Sequence, residues 1–163
     1  EELRRLQALN SYLIADADRE ESFDRITPCL AGSIFDVPIT LVSLVDIVRQ
    51  WFMSNRGLGD VEETSRKHAF CAHTILKTYN MFVLPDSTKD FRFCDNTGAP
   101  HFRFYAGAPL LTPEGVKIVT LCLISDRPRP VGMSGSEQEA LHDLARMTVQ
   151  AMVDRRTRLQ HRE

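Results

Sequence analysis

A β-hairpin predicted over residues Phe102–Ser125 constrains the fold of this chain more than any other stretch. Its two apolar arms flank Thr112-Pro113-Glu114-Gly115, in which the proline pre-sets the backbone and the glycine tolerates the exit geometry. With Leu111 opposite Val116, alternation of side chains divides the hairpin into two unlike faces. The apolar face contains Phe102, Phe104, Ala106, Ala108, Leu110, Val119, Leu121 and Leu123. The other face, called the mixed face below, contains Arg103, Tyr105, Gly107, Thr120, Cys122 and Ile124.

The two faces predict different neighbours. The apolar face must be covered by helices, and the small side chains of Ala106 and Ala108 allow a helix to approach closely. The mixed face is the better candidate for a pocket, because ligand sites combine an apolar lining with a few placed polar groups.

Amphipathic helices are predicted at both ends of the chain. An apolar stripe at helical spacing predicts the first helix over 2–17, through Leu3, Leu6, Leu9 and Leu13. Ser134 or Ser136 caps a long last helix, with a polar tail over 154–163 that we expect to project beyond the body. Its seam is Leu141, Leu144, Ala145, Thr148, Ala151, Met152 and Leu159. The two stripes can cover the chain's own sheet or a second copy, and we expect a homodimer through these helices.

Shorter elements fill the chain between these helices. We predict a helical segment over 22–35, in which Pro28 opposes a continuous helix, and a hairpin of strands 39–46 and 50–54 with a solvated tip at Asp46 and Arg49. A short helix over 66–77 follows, with Thr64 or Ser65 as its cap, and then a strand over 81–84. The loop over 90–101 could fold over the mixed face as a lid.

Composition narrows the class of protein. The 163 residues, 43% of them hydrophobic, suffice for one domain over 1–163, and a net charge of −2 indicates neither nucleic acid nor a membrane surface as partner. Four cysteines without a C-x-x-C pair favour the reducing cytoplasm, and no apolar run reaches about twenty residues. The charged start without Met leads us to expect a domain excised from a longer signalling protein.

Several phrases together resemble the GAF domains of bacterial sensor histidine kinases and diguanylate cyclases. The phrases are ALNSYLIADADREESFDRI, FDVPITLVSLVD, RQWF, SRKHAFCAHTI, DFRF, RFYAGAPLLTPEG and IVTLCLISDRPRP. The resemblance implies an α+β fold with a central antiparallel sheet, terminal helices on one face, and loops with short helices forming a pocket on the other. It also implies a sensory or regulatory role, in which ligand or partner events pass through the terminal helix to an attached output domain such as a histidine kinase or diguanylate cyclase. Two alternatives stay open, a domain that binds an unidentified small molecule and a domain without a ligand that serves as a dimerisation platform.

The chain departs from the family pattern at several positions. The stretch Cys94–Pro100 is shorter than usual, Val119 stands where the family has glycine, and Ser125 stands where it has aspartate. The NKFDE signature of the cyclic-nucleotide subfamily is absent. We therefore do not carry cyclic-nucleotide binding over from the family.

A set of polar and aromatic residues around the mixed face is the predicted ligand-binding site. Arginine can clamp a carboxylate or phosphate, and tyrosine offers a hydroxyl at the end of an apolar ring. The set is Phe70, His73, Asp90, Arg92, Phe93, Asn96, Arg103, Tyr105, Thr120 and Cys122. The alternative is that Asp90 with Arg92 or Arg103 forms an internal ion pair that ties the lid to the sheet.

Cysteine chemistry supplies the competing hypothesis. Cys71, Cys94 or Cys122 could serve as a redox thiol, as in free methionine sulfoxide reductases, which also have a GAF fold. The irregular spacing of His68, Cys71, His73, Cys94 and His101 argues against a metal site. Ala72 separates Cys71 from His73, so no covalent bilin is expected. We expect that the chain itself is not an enzyme.

Overall fold

The fold is built on one six-stranded antiparallel sheet, in the order β3-β2-β1-β6-β5-β4. The computed structural model describes residues 1–12, 17–18, 20–26, 31–76, 80–94 and 102–162. The strands are β1 (Ile39–Val45), β2 (Arg49–Arg56), β3 (Glu63–Ser65), β4 (Phe82–Leu84), β5 (Phe104–Leu111) and β6 (Lys117–Ser125). The predicted α+β class with a central antiparallel sheet is confirmed.

Helices cover both sides of the sheet unequally. They are α1 (Glu2–Ser11), α2 (Glu21–Asp24), α3 (Gly32–Phe35), α4 (Cys71–Thr74) and α5 (Gly135–Gln160), with 3₁₀ turns at Arg66–His68 and Ser87–Lys89. The first three helices and α5 pack on one face, and α4 packs on the other. The terminal helices thus lie on one face as predicted, whereas the short helices are divided, with α2 and α3 on the face of the terminal helices and α4 on the other.

The β5–β6 hairpin has the two faces that alternation predicts, in a different register. Ala106 lies opposite Leu123, two positions beyond the predicted Leu121, and the ladder is irregular between Leu110 and Leu111. The turn is one residue longer than predicted: the Thr112 amide, rather than Leu111, pairs with Val116 by donating to its carbonyl. Since the total shift is two residues and the side-chain period is also two, every strand residue keeps its predicted face.

Each face of the sheet carries its own core. The helix-side core contains the apolar face of the hairpin together with Leu9, Phe23, Leu141, Leu144 and Met152. The second core contains Leu41, Phe52, Phe70, Cys71, Phe82, Phe93, Tyr105, Cys122 and Ile124. Phe102 precedes β5 and packs against the second core, so its assignment to the apolar face was wrong.

The apolar stripe of α1 differs from its prediction. Leu3 is 68% exposed, whereas Arg5 is only 5% exposed. The guanidinium of Arg5 can be buried because it donates to the carbonyl of Val45 at 2.6 Å and pairs with Glu2 at 2.8 Å. A buried arginine with its donors satisfied is tolerated in this way, and the helix keeps Leu9 as its apolar anchor. The helix was predicted to run to residue 17, but α1 ends at Ser11 and residue 17 is not helical, while residues 13–16 lie outside the described residues.

Two further predictions needed correction. The predicted helix over 66–77 is a 3₁₀ turn at Arg66–His68 followed by α4, and Ser65 occupies the N-cap position of that turn. Its hydroxyl makes no cap hydrogen bond, however, because Thr64 and Ser65 pair with β2 as part of β3. The tail after Asp154 does not project freely, since Arg155 is buried and donates to the Tyr12 carbonyl at 3.1 Å. Backbone partners distant in sequence determine the placement of residues 64–65 and of Arg155. A local sequence pattern carries no information about such partners.

The start of α5 agrees with its prediction. Ser134 caps the helix, its hydroxyl accepting from the Glu137 amide while the Glu137 carboxylate accepts from the Ser134 amide. This reciprocal capping box satisfies two amides that would otherwise lack partners in the first turn. The predicted seam residue Met152 is buried with Leu141 and Leu144 against the chain's own sheet.

Candidate functional site

A buried polar cluster occupies the mixed face beneath α4. Its centre is the sulfur of Cys71, which lies 3.3 Å from the sulfur of Cys122 on β6. Gln50 on β2 donates its side-chain amide to the same sulfur at 3.1 Å, and the Tyr105 hydroxyl on β5 donates to it at 3.2 Å. Three strands therefore direct polar groups to one sulfur atom on α4.

Tyr105 fills the middle of this face. Its hydroxyl lies 2.7 Å from the hydroxyl of Thr74 on α4. The tyrosine side chain reaches this position by lying across Gly107 of its own strand. A Cβ atom at Gly107 would lie 2.3 Å from the Tyr105 hydroxyl oxygen and 2.7 Å from Thr74 Oγ1, closer than real atoms approach. Gly107 is thus required for the position of Tyr105, two residues before it on the same face.

The electrostatics distinguish the two cysteines. Burial raises the pKa of Cys71, but hydrogen-bond donors around its sulfur, with Cys122 first, outweigh burial and lower the pKa from 9.0 to about 7. Burial raises the pKa of Cys122 well above its ordinary value, and burial likewise raises the pKa of Tyr105. Cys71 is therefore the group that ionises first, while Cys122 and Tyr105 remain proton donors to it.

One hydroxyl in the same region lacks a partner. Ser43 on β1 is fully buried, and its hydroxyl has no hydrogen-bond partner among the described residues. Thr120, opposite Ser43 in the β1–β6 ladder, is also fully buried. Both hydroxyls nevertheless face the Cys71 sulfur and contribute to the lowering of its pKa, so this end of the sheet belongs to the same cluster.

Aromatic rings lie beside the polar cluster, between α4 and β5. The Phe70 ring lies 5.0 Å from Phe93 and 5.3 Å from Tyr105, and the His73 ring lies 4.8 Å from Phe93. Phe82 on β4 completes the aromatic cluster at 5.8 Å from Tyr105. Burial, followed by the charge of Arg92, lowers the pKa of His73, so its ring is kept neutral near physiological pH.

A cation covers the outer side of the aromatic cluster. The Arg92 guanidinium lies 5.0 Å from the centre of the Phe82 ring and 5.4 Å from that of Phe93, within the range of cation–π attraction. Its charge is shared with Asp90, whose carboxylate it contacts at 2.6 Å. The hydrogen bonds from Arg92 lower the pKa of Asp90.

Arg103 does not join this group. It pairs with Asp86, a residue that the sequence reasoning did not consider, rather than with Asp90. Asp90 and Arg92 do form an ion pair, but they lie two residues apart in one turn, so this pair does not tie the loop to the sheet. Both arginines of the predicted set therefore have carboxylate partners.

The structure brings most of the predicted site residues together. One aromatic layer contains the rings of Phe70, His73, Phe93 and Tyr105, with the Arg92 guanidinium against it. Cys122 and Thr120 lie beneath this layer. Asn96 and His101 lie outside the described residues. The sequence analysis missed Gln50, Thr74 and Phe82, which come from elements distant in sequence. One signal was available, because Gly107 leaves space on the mixed face for the Tyr105 side chain two residues before it.

Two features are absent from the described residues. These residues contain no group of three or more His, Cys, Asp or Glu side chains arranged to hold a metal ion. None of the helices in the described ranges is both long and apolar enough to cross a bilayer.

Comparison with known proteins identifies the family. A sequence profile described as the GAF domain matches residues 16–152. A cyclic di-GMP phosphodiesterase of Pseudomonas aeruginosa is 45% identical over 113 residues, which are 68% of this chain and 19% of that protein. The chain therefore spans about a fifth of the length of this relative.

Solved structures agree with this match at the level of the fold. The GAF domain of the Acinetobacter phosphoenolpyruvate-protein phosphotransferase superimposes with a TM-score of 0.64 at 14% identity, covering 94% of this chain and 93% of that one. The free methionine-R-sulfoxide reductase of Neisseria meningitidis, solved with its substrate, gives 0.64 at 16% identity, covering 93% and 88%. With the profile match over most of its length, the chain belongs to the GAF domain family.

Proposed function

We propose that this chain is the regulatory domain of a signalling protein whose output domain acts on cyclic di-GMP. The observation that carries the proposal is the 45% identity with a segment of the Pseudomonas cyclic di-GMP phosphodiesterase. Because that segment is only 19% of the relative, the remainder of the relative has room for a separate catalytic domain. The proposed setting is the cytoplasm, in keeping with cysteines that lack a C-x-x-C pair.

The proposed input site is the mixed face. An aromatic layer of Phe70, His73 and Phe93 can stack on a flat ligand, and Arg92 beside it can bind an acceptor group. We include Asp90, Asn96, Arg103, Tyr105, Thr120 and Cys122 in the proposed binding set. Since the described side chains of this face already contact one another, a ligand must displace some of these contacts, which would couple its binding to a shift of α4.

The proposed route to the output domain is α5. This helix has 26 residues and is therefore about 39 Å long at 1.5 Å per residue. Its inner side packs on the sheet through Leu141, Leu144 and Met152, so a displacement of β5 or β6 moves the helix as well.

A homodimer through the terminal helices forms part of the proposal. Leu3 on α1 and Met147 on α5 are 68% and 50% exposed, although both are large apolar side chains on helices that otherwise bury theirs. A second copy of the chain is the occupant we propose for these surfaces. Light scattering should give the mass of a dimer, and Leu3→Glu with Met147→Glu should give a monomer. A monomer of the unaltered chain at every concentration contradicts this part of the proposal.

Turnover of cyclic di-GMP tests the regulatory role. We expect no hydrolysis by the isolated chain, and hydrolysis by a chimera in which this chain replaces the aligned segment of the Pseudomonas phosphodiesterase. Native mass spectrometry of the purified chain then looks for a retained small molecule, which should be lost after denaturation. Hydrolysis by the isolated chain, or an inactive but folded chimera, would refute the assignment.

A further inference from the structure

We propose that Cys71 and Cys122 form a reversible disulfide, and that the oxidant is a hydroperoxide. This inference goes beyond the proposed regulatory function and does not depend on the identity of the output domain. It starts from the 3.3 Å separation of two sulfurs whose residues lie 51 positions apart in sequence. A disulfide has a sulfur–sulfur distance near 2.05 Å, so bond formation needs an approach of only about 1 Å.

The surroundings of the two sulfurs give them different roles. Donors from Gln50 and Tyr105 converge on Cys71 and stabilise its thiolate, which is the form that attacks oxidants. Cys122 stays protonated, because burial and then the neighbouring Cys71 sulfur raise its pKa well above the ordinary value. Cys71 is therefore the attacking thiol, and Cys122 is the resolving thiol.

The reaction balances with one hydroperoxide and two thiols. The Cys71 thiolate attacks the terminal oxygen, the O–O bond breaks, and the alkoxide takes up a proton and leaves as an alcohol. Cys71 is then a sulfenic acid. The sulfur of Cys122 attacks it, the S–O bond breaks, and the hydroxyl leaves with the Cys122 proton as water. Two electrons pass from the sulfurs to the peroxide, and a dithiol such as dithiothreitol returns them.

Access for the oxidant follows from the shortness of α4. Cys71 is 1% exposed, but α4 is a single turn of four residues, and its opening uncovers the sulfur. A small peroxide should therefore react faster than a bulky one such as cumene hydroperoxide.

Oxidation would alter the proposed input site directly. The disulfide removes the thiolate that accepts from Gln50 and Tyr105, so the Tyr105 hydroxyl retains only Thr74 as a partner among those described. It also draws α4 toward β6, and His73 on α4 contacts the Phe93 ring. The thiol pair thus provides a chemical input to the same helix that contacts the aromatic layer.

The chain offers an internal control cysteine. Cys94 is exposed, and no other described cysteine lies within reach of its sulfur, whose one described contact is the carbonyl of Phe91. Oxidation that is driven by exposure alone should therefore strike Cys94 before the buried pair.

The test uses two proteins, one with Cys29→Ser, in which Cys94 remains as the exposed control, and one with Cys29→Ser and Cys94→Ser. Both are titrated with hydrogen peroxide and read by intact mass under non-reducing conditions, and peptide mapping of the first compares oxidation at Cys94 with that of the pair. We expect the loss of two hydrogen masses, reversed by dithiothreitol, at a rate that rises with pH through about 7. Adding Cys122→Ser should stop the reaction at a sulfenic acid on Cys71 that dimedone traps.

Two outcomes would overturn the proposal. One is a folded chain that gains oxygen without losing two hydrogens. The other is a disulfide that forms no faster in the folded chain than in urea, because unfolding removes both the 3.3 Å approach of the sulfurs and the donors that stabilise the Cys71 thiolate. The urea comparison needs no substitution at either cysteine of the pair, so it stands even where a variant fails to fold. Neither outcome bears on cyclic di-GMP turnover, so the two proposals fail separately.

Discussion

Arg103 and Asp86 form a two-point ion pair, with Nε 2.9 Å from Oδ1 and Nη2 2.8 Å from Oδ2. Asp86 follows β4 and Arg103 precedes β5, so the pair joins the two ends of the segment that contains the predicted lid. Asp86 Oδ1 also accepts hydrogen bonds from the amide and the hydroxyl of Thr88. These bonds fix the 3₁₀ turn at Ser87–Lys89. Ser87 adds an amide donation to the carbonyl of Arg103 at 2.7 Å.

Asp86→Asn should destabilise the chain by removing a charge-assisted pair from a side chain that is mostly buried. The measurement is the midpoint of urea unfolding, which should fall. The matched control is Asp143→Asn, whose pair with Arg146 lies exposed on α5 and should change the midpoint little. Equal effects of the two variants would show that the Asp86 pair has no special role.

The Asp86 contribution should depend on pH with a defined sign. Hydrogen bonds from Arg103 hold the pKa of the Asp86 carboxyl well below its ordinary value of 3.8. A lowered folded-state pKa stabilises the folded chain above 3.8, and this contribution is lost as pH falls below that value. The stability difference between the chain and Asp86→Asn should therefore be constant above about pH 5 and shrink toward pH 3. A difference that grows in acid contradicts this account.

Gly107→Ala should cost about 1–3 kcal/mol, because the added methyl group enters the space of the Tyr105 hydroxyl. Chemical unfolding measures the loss. In a Tyr105→Phe background the same substitution should cost less, since the closest of the clashing atoms is gone. Strictly additive effects would show that the hydroxyl does not occupy this position.

Leu121→Ala should destabilise the chain by about 2–5 kcal/mol, the range for a fully buried leucine that leaves a cavity. Leu111→Ala, at the exposed end of β5, is the control and should change stability by less than about 0.5 kcal/mol. Both values come from denaturant melts, and a cost at Leu111 as large as that at Leu121 would contradict the placement of the helix-side core.

Ser134→Ala should cost about 1 kcal/mol by opening the capping box of α5. Ser134→Asp keeps an acceptor at the same position and should recover most of the loss. Thermal melts of the three proteins provide the comparison. An unaffected Ser134→Ala variant would mean that the first turn of α5 is held by other contacts.

The fold was largely predictable because its signals are local and repeated. Alternation along 102–125 assigned the two faces of β5 and β6 correctly, even though the turn widened and the register moved by two residues. The cap at Ser134 was equally readable, since both partners of the capping box lie within one turn. These features depend only on near neighbours in sequence.

The remainder depends on partners that are distant in sequence. The burial of Arg5 requires the carbonyl of Val45, and the position of β3 requires the edge of β2. The site shows the same division. Its aromatic members were identified, whereas the convergence of Gln50 and Tyr105 on Cys71 required the sheet order and the placement of α4.

The central claim, that this GAF domain regulates an output domain through its mixed face, is tested most directly in the chimera with the Pseudomonas phosphodiesterase. Tyr105→Phe removes one hydroxyl from the centre of that face, and Leu111→Ala alters an exposed site outside it. We predict that Tyr105→Phe changes the turnover of cyclic di-GMP severalfold while Leu111→Ala leaves it unchanged. Equal turnover in the chimera and both variants, with all three proteins folded, would contradict the claim.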